Sequence, residues 1–310
     1  MFKKSLHCMG MLSALCFVFA LSATAQAQAQ EGPAYKSELG IVYYTVDGKP
    51  QKLNAFLPEG IQKPAPVMVD IHGGWWSVGA AGTSINRGDY SFMTGRGIAI
   101  FSIDYRLGKD GGFPENIRDC RNAVRFIRKN ATRFNIDPDR IGCFGGSAGS
   151  HLSMMLAMVP EDFDDGGPPE ELKGISAKVC NAFAFVGPTD FVRQWNESVT
   201  GKPNDSHPYH RVLFKGIEPD TDEHKALYMK MSPMGHLRKD VSPLLICDGE
   251  NDPIVPNLQG KTLNEKLQEI GADSTYWMSP KGGHAFPSGP GFEAVLEKFL
   301  VRTLKLDDAK

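Results

Sequence analysis

Apolar residues recur along this chain in two patterns, short continuous runs and stripes spaced by three or four residues. A continuous run of about four to eight apolar residues predicts a strand that is buried on both faces. A stripe at three-and-four spacing predicts a helix that buries one face. From residue 67 onward the two patterns alternate, which is typical of a parallel sheet covered by helices.

The two patterns place the elements in a definite order. The runs predict strands over residues 41–45, 51–57, 67–71, 97–104, 140–144, 177–186, 243–247 and 274–278. The stripes predict helices over residues 114–134, 150–159, 258–270 and 292–304. Asp47-Gly48 lies between the first two strands and favours a tight hairpin. The sequence thus predicts one α/β domain over 35–310, with an antiparallel entry, a mostly parallel central sheet and helices on both faces.

The first 27 residues do not fit this domain. Lys3 and Lys4 precede an apolar stretch over 9–21, and small residues suited to cleavage follow it between 23 and 27. This order is typical of a secretory signal peptide, and the stretch is shorter than the ~20 residues of a membrane span. We therefore expect residues 1–27 to be removed on export, and the mature protein to be secreted or periplasmic without a membrane span.

The net charge of the chain limits the classes of partner that it can bind. The chain has 34 Lys and Arg against 36 Asp and Glu, a net charge of −2, and loss of the signal peptide makes the balance more negative. This balance argues against a nucleic-acid or anionic-membrane partner. The acidic segment 160–171 contains several Pro and Gly residues and is expected to be an exposed, solvated loop rather than a calcium site built from Glu161, Asp162, Asp164 and Asp165.

Four cysteines remain after the signal peptide, at positions 120, 143, 180 and 247. None forms a C-x-x-C pair, so their spacing does not fit a zinc site. Three lie in apolar runs and one lies on the apolar stripe of a helix, which favours buried free thiols. A disulfide between neighbouring elements is the alternative, because export would permit it.

The motif Gly145-Gly146-Ser147-Ala148-Gly149 is the strongest candidate for chemistry. It has the G-x-S-x-G pattern, and a predicted strand precedes it and a predicted helix follows it. This context predicts a tight turn that holds Ser147 in a strained conformation with its hydroxyl exposed. The glycines leave room for the turn, and the N-terminus of the following helix favours a developing negative charge. Ser147 is therefore the predicted nucleophile.

A serine nucleophile needs a general base and an acid that orients the base. His284 follows the last predicted strand and is flanked by small residues, so we predict that it is the base. The loop after the strand 243–247 carries Asp248, Glu250 and Asp252. Asp252 lies beyond the turn glycine and can point inward, which favours it as the acid. Asp248 lies closer to the strand end and is the alternative, or it holds the loop.

A glycine-rich loop, His72-Gly73-Gly74-Trp75-Trp76, follows the predicted strand 67–71. Its glycines let backbone N–H groups approach a substrate oxygen, and with the N–H of Ala148 they would form an oxyanion hole. The alternative is a turn that only positions a helix. His72 is expected to be a structural hydrogen-bonding residue rather than a second base.

Residues 187–242 form a connection longer than a strand-to-helix step needs. We interpret this segment as an insertion over the active site that shapes the substrate pocket. Its run His207-Pro208-Tyr209-His210 is interpreted as surface histidines rather than a metal site. The aromatic candidates for the pocket wall are Trp75, Trp76, Trp195 and Phe286, and each of them is as readily explained as part of the core.

These motifs, in this order, resemble those of the α/β-hydrolase superfamily. The similarity is greatest to hormone-sensitive-lipase-like carboxylesterases and to exported relatives of feruloyl and acetylxylan esterases. The matching segments run from residue 67 to the C-terminal helix and include 72–76, 102–107, 136–141, 145–151, 187–190 and 249–256. The resemblance implies an α/β-hydrolase fold with Ser147 as nucleophile, Asp252 as acid and His284 as base. It also implies oxyanion N–H groups at Gly74, Trp75 and Ala148, although lipase-like members often have a third glycine where this chain has Trp75.

The resemblance implies a serine carboxylesterase that works by acyl transfer, with no metal and no organic cofactor. The expected substrate is a small-molecule or polysaccharide-linked ester. The H-G-G-x-W form also resembles kynurenine formamidases, which hydrolyse an N-formyl amide, and this activity is the alternative. A non-catalytic binding protein on the same fold would be expected to have lost one of the site residues, whereas this chain retains all of them.

Overall fold

The computed structural model describes residues 35–83, 90–163, 166–196 and 208–306. The predicted signal peptide over 1–27 lies outside these ranges, as do Asp164, Asp165 and His207.

Eight strands in the described residues form one sheet. They are β1 (Tyr35–Val46), β2 (Lys49–Pro58), β3 (Ala65–Ile71), β4 (Ala99–Ile103), β5 (Ile136–Gly146), β6 (Ala182–Phe185), β7 (Leu244–Gly249) and β8 (Ser274–Ser279). The order across the sheet is β1-β2-β4-β3-β5-β6-β7-β8. The β1–β2 hairpin and the β2–β4 pair are antiparallel, and the other neighbours are parallel. The predicted antiparallel entry and mostly parallel sheet are therefore confirmed.

Helices cover both faces of this sheet. They are α1 (Ser91–Thr94), α2 (Glu115–Lys129), α3 (Ala131–Phe134), α4 (Ala148–Met158), α5 (Phe191–Asn196), α6 (Pro208–Leu213), α7 (Asp222–Met231), α8 (Leu258–Glu269) and α9 (Phe292–Leu304). Helices α2, α4 and α8 bury their apolar residues in one core cluster, and α1 and α9 bury theirs in a second. Within the described residues, no helix combines the length and the apolar character that crossing a bilayer requires.

Four elements differ clearly from the prediction. Strand β1 begins at Tyr35 rather than at residue 41, and β5 begins at Ile136 rather than at residue 140. The helix predicted over 114–134 is interrupted at Asn130, whose side-chain amide donates to the carbonyl of Phe126 at 2.8 Å and so ends α2. The strand predicted over 177–186 is limited to Ala182–Phe185. Before it, the carbonyl of Val179 accepts from the Ser242 hydroxyl at 2.7 Å rather than from a strand, while the Cys180 N–H still donates to the Ile141 carbonyl of β5 at 2.8 Å.

The predicted acidic loop lies at the surface. Glu161 and Asp162 are exposed, while the buried guanidinium of Arg121 donates to the carbonyls of Pro160 at 2.6 Å and Phe163 at 3.0 Å. The loop is thus held mainly through its backbone. The Glu161 carboxylate also accepts from the Ser176 hydroxyl, and both acidic residues remain exposed.

All four cysteines of the domain are free, and those at 120, 143 and 247 are buried. Cys180 is partly buried, and burial raises the pKa of its thiol to about 11. The prediction of buried free thiols is confirmed for three of them, and the disulfide alternative is wrong for this structure.

Candidate active site

Ser147 lies between the end of β5 and the start of α4, as the motif predicts. Its backbone has φ 58° and ψ −122°, a conformation that a residue with a side chain adopts only at a cost. Gly145 and Gly149 explain the glycine spacing. A Cβ at either position would lie 2.5 or 1.9 Å from the carbonyl oxygen of Ile71, so the turn packs too tightly on β3 for any other residue.

Helix α4 fixes the direction of this turn. Every residue of the helix is buried, so it has no solvent-facing side and cannot shift without disturbing the core. The His151 N–H donates to the Ser147 carbonyl at 3.1 Å, which starts the helix at the serine. The N–H of Ala148, in the first turn, therefore lies beside the serine, where the helix dipole favours an anion.

His284 and Asp252 meet at the same edge of the sheet. The His284 Nδ1 lies 2.8 Å from Asp252 Oδ2, and the Asp252 side chain is 1% exposed. Asp252 Oδ1 accepts the N–H groups of Ile254 at 2.8 Å and Val255 at 3.0 Å. Both carboxylate oxygens are thereby occupied, which fixes the imidazole with a proton on Nδ1 and leaves Nε2 able to accept one.

Asp248, the alternative acid, points elsewhere. Its Oδ2 accepts from the Tyr276 hydroxyl at 3.2 Å, and a Cβ on Gly260 in α8 would lie 2.5 Å from the same oxygen. Burial raises the pKa of Asp248 to about 7, and the neighbouring charge of Asp252 adds to this rise. The structure thus brings Asp252 to His284 and places Asp248 between the strand end and α8.

We expect Asp248→Asn to change how stability depends on pH. The usual pKa of an aspartate is 3.8, and that of Asp248 in the fold is about 7. Between these values the folded protein keeps a proton that the unfolded chain releases, so raising the pH lowers the wild-type free energy of unfolding. The variant lacks this loss and should gain stability relative to wild type from pH 4.5 to pH 8 in urea unfolding. Parallel pH profiles of the two proteins would contradict this role.

The loop after β3 lies directly against the serine turn. A Cβ at Gly73 would lie 3.0 Å from the Gly146 carbonyl oxygen and 3.4 Å from the Ser147 Cβ. Gly74, Trp75 and Trp76 all have positive φ, at 107°, 57° and 54°. Three successive residues in this region of backbone space curl the loop tightly beside Ser147.

His72 holds this loop from below. It is buried, its ring stacks on Tyr105 at 4.4 Å between centroids, and its Nδ1 donates to the Gly73 carbonyl at 2.7 Å. Burial lowers the pKa of His72, so the ring is neutral at ordinary pH. The predicted structural role of His72 is confirmed.

We expect Gly74→Ala to lower kcat/KM by about 10²–10³-fold, the typical cost of losing one oxyanion donor, because sequence analysis predicts that Gly74 supplies such an N–H group. A Cβ at Gly74 would lie 2.1 Å from the Val78 carbonyl oxygen, and the φ of 107° disfavours any side chain, so the loop must move. Ester turnover by purified protein measures the effect. Gly60→Ala is the matched control, because Gly60 also has positive φ but a Cβ there meets nothing within 4 Å. Equal losses in both variants would show that backbone strain alone is responsible.

The segment 187–242 forms helices α5, α6 and α7 in its described part. His151 of α4, a residue that sequence analysis did not single out, links this segment to the serine turn. Its Nε2 lies 2.7 Å from the Met231 carbonyl oxygen, and its ring packs edge-on to Trp76 and Phe191 at 5.3 and 5.0 Å. Burial lowers the pKa of His151 to about 4. The position of a histidine in a mainly apolar helix is the sequence feature that could have indicated this contact.

The interpretation of the insertion histidines is partly wrong. His210 is buried, and its ring packs against Trp195 at 5.1 Å between centroids. The aromatic content of the insertion explains this, since its helices need an apolar interior of their own. His224 does lie at the surface, where it pairs with Asp220 at 2.7 Å.

The four aromatic candidates for the pocket lie in three places. Trp195 packs against His210 and Tyr228 inside the insertion. Trp75 and Trp76 border a small cavity beside Ser147. Phe286 instead packs with Phe183 and Phe185 on the opposite face of the sheet, where it borders a different cavity of about 570 Å³.

Sequence comparison identifies a family and several relatives that are similar to this chain. The sequence profile of the BD-FAE family matches residues 53–267. The chain is 28% identical over 232 residues to a probable carboxylic ester hydrolase, LipM, of Mycobacterium tuberculosis, covering 72% of this chain and 49% of the relative. It is 26% identical over 223 residues to esterase LipQ of the same organism, covering 72% and 50%. The chain spans about half the length of these curated relatives.

Solved structures give the same picture. A truncated carbohydrate esterase from gut microbiota superposes with a TM-score of 0.74 at 26% identity, covering 88% of this chain and 99% of that one. A propionate-bound esterase, Est2, of Thermogutta terrifontis superposes with a TM-score of 0.67 at 25% identity, covering 87% and 94%.

Proposed function

This chain belongs to the BD-FAE family, and on that basis we propose that it cleaves carboxylic esters through an acyl-enzyme formed on Ser147. The matches to esterases confirm the predicted α/β-hydrolase fold and the resemblance to hormone-sensitive-lipase-like carboxylesterases. The catalytic roles of individual residues and the substrate are our proposal.

The observation that carries the mechanism is the bond between His284 and Asp252. The carboxylate is almost fully buried, accepts two backbone N–H groups and bonds the imidazole at 2.8 Å. A carboxylate held in this way can orient a histidine and stabilise its protonated form. The strained serine turn at the same sheet edge supplies the group on which that histidine acts.

The reaction proceeds in two halves. The Ser147 Oγ attacks the ester carbonyl carbon while His284 Nε2 takes the hydroxyl proton, and N–H groups of Gly74, Trp75 and Ala148 stabilise the oxyanion. The C–O bond to the alcohol then breaks, and His284 returns the proton to the leaving alkoxide. Water, deprotonated by His284, attacks the carbonyl carbon of the acyl-enzyme. The C–O bond to Ser147 then breaks, His284 returns the proton to the Ser147 Oγ, and the carboxylic acid leaves.

We propose that the substrate is a small or polysaccharide-linked ester, and that the protein is exported from the cell. The first is supported by similarity to a protein described as a carbohydrate esterase, and the second by the signal-peptide pattern over 1–27. Processing of the full-length chain between residues 23 and 27, read by N-terminal sequencing of the exported protein, tests the location.

Covalent labelling tests the function directly. Purified protein is treated with a fluorophosphonate probe and assayed on nitrophenyl acetate, acetylxylan, methyl ferulate and N-formylkynurenine. We expect labelling at Ser147 and turnover of at least one ester. Absence of labelling would contradict the assignment of Ser147 as the nucleophile. A kcat/KM for N-formylkynurenine that is orders of magnitude above those for the esters would show that the protein hydrolyses formamides rather than esters.

A further inference from the structure

We infer that the acyl group of the substrate is no larger than acetyl, because the cavity that receives it beside Ser147 has room for little more than one methyl group. This inference rests on the proposed ester hydrolysis. The cavity has a volume of about 10 Å³, roughly the room that a single water molecule needs. A methyl group is only slightly larger than a water molecule, whereas a butyryl chain adds two further carbons and a feruloyl group adds an aromatic ring.

The wall of the cavity is almost entirely apolar and largely aromatic. Trp75 and Trp76 of the loop after β3 form one side, and Phe191 and Tyr209 of the insertion form another. The Trp76 ring lies edge-on to Phe191 at 5.7 Å, and Phe191 packs on Tyr209 at 5.6 Å. Trp76, Phe191 and Tyr209 are at most 2% exposed. Because these rings brace one another, enlarging the cavity means displacing several core residues together.

Hydrogen bonds between side-chain amides fix the part of the cavity wall that α5 forms. Gln194 of α5 borders the cavity, its Nε2 donates to the Ile254 carbonyl at 3.1 Å, and its Oε1 accepts from Gln259 Nε2 at 2.6 Å. Gln259 Oε1 accepts the N–H groups of Thr189 and Asp190 at 2.9 and 3.0 Å. Gln194 is therefore held at both ends of its amide, and it ties the insertion to the loop that carries the proposed acid.

The geometry points to the acyl group rather than the alcohol as the occupant. His284 must return a proton to the leaving oxygen, so the alcohol lies on the side of His284. His284 is not among the described residues that line the cavity, whereas Trp75 of the proposed oxyanion loop is. A sugar ring of a polymer is also much larger than a cavity of about 10 Å³. The acyl chain is therefore the substituent that faces the aromatic wall.

Two substrate series test this inference on the wild-type protein. Nitrophenyl esters of acetate, propionate, butyrate and hexanoate vary the acyl group, and acetate esters of ethanol, phenol and a xylo-oligosaccharide vary the alcohol. Since one methylene in a fitted pocket changes kcat/KM by about 10–200-fold, we expect acetate to exceed butyrate by at least about 10²-fold. The alcohol series should vary much less once leaving-group reactivity is taken into account.

Ile254→Ala adds a structural test of the same wall. The Ile254 side chain borders the cavity, while its contact to Asp252 is made by the backbone N–H, which the substitution keeps. We expect the ratio of acetate to butyrate activity to fall by about 10-fold. Ile61→Ala is the matched control, because Ile61 is also half-buried but lines a different part of the surface, and its ratio should equal that of wild type.

The outcomes separate the inference from the proposed function. A protein that neither labels with fluorophosphonate nor hydrolyses any ester refutes the function itself. A protein that labels at Ser147 but hydrolyses butyrate or hexanoate as well as acetate, or turns over methyl ferulate as well as acetate esters, overturns only the inference. An unchanged acetate-to-butyrate ratio in Ile254→Ala likewise overturns the assignment of this cavity to the acyl group.

Discussion

Ser147→Ala should lower kcat/KM for nitrophenyl acetate by at least about 10⁴-fold and abolish fluorophosphonate labelling. The substitution removes the oxygen that forms the acyl-enzyme, and the remaining groups have no nucleophile on which to act together. The hydroxyl makes no hydrogen bond within the described structure that the fold needs, so the free energy of unfolding should stay near that of wild type. Turnover, labelling and urea unfolding of the same preparation measure all three.

The control for this variant is Ser37→Ala, which removes a hydroxyl from the exposed edge strand β1. It should label and turn over like wild type. If Ser147→Ala were still labelled, or retained more than about one per cent of wild-type turnover, another residue would be the nucleophile and the site assignment would be wrong.

Asp252→Asn should lower kcat for ester hydrolysis by about 10³–10⁴-fold with a much smaller change in KM. The amide cannot both accept the backbone N–H groups of Ile254 and Val255 and accept the His284 Nδ1 proton in the same way as a carboxylate. If its NH₂ group faces the imidazole, the proton must move to Nε2, and the histidine can no longer accept the serine proton. Steady-state kinetics across an ester concentration series separate kcat from KM.

Asp248→Asn is the matched comparison for this effect, because it makes the same chemical change at the end of β7, just before the loop that carries Asp252. Asp248 bonds Tyr276 and faces α8 rather than His284. We expect its kcat to stay within about 10-fold of wild type while its stability changes with pH as described above. The opposite ranking of the two variants would identify Asp248 as the acid and contradict the geometry.

The sequence predicts the frame of the molecule well because strong local signals determine it. The apolar runs of β3, β4 and β7 are continuous and bounded by turns, so their positions follow directly. The stripe over 114–134 does not reveal the break at Asn130, since that break depends on one side-chain hydrogen bond. The strand β6 is shorter than its apolar run because neighbouring side chains satisfy part of its backbone.

The candidate site shows the same division. Glycine spacing and chain order are enough to single out Ser147 and His284, because a tight turn and a loop at a strand end leave local marks. The choice between Asp252 and Asp248 depends on which way each side chain points, and that direction is set by α8 and Tyr276 from distant parts of the chain. The size of the cavity depends on how the insertion packs, and no local pattern encodes it.

The bond between His151 and the Met231 carbonyl limits how this scaffold can be re-engineered. A long connection such as 187–242 invites loop grafting, in which a foreign segment is transplanted to change substrate range. Here the receiving helix α4 carries a neutral imidazole whose Nε2 needs an acceptor at 2.7 Å. A graft that does not supply a carbonyl at the position of 231 would leave a buried donor unsatisfied directly behind Ser147. The segment 187–242 can therefore not be exchanged by itself, and a graft would have to replace residue 151 together with this segment.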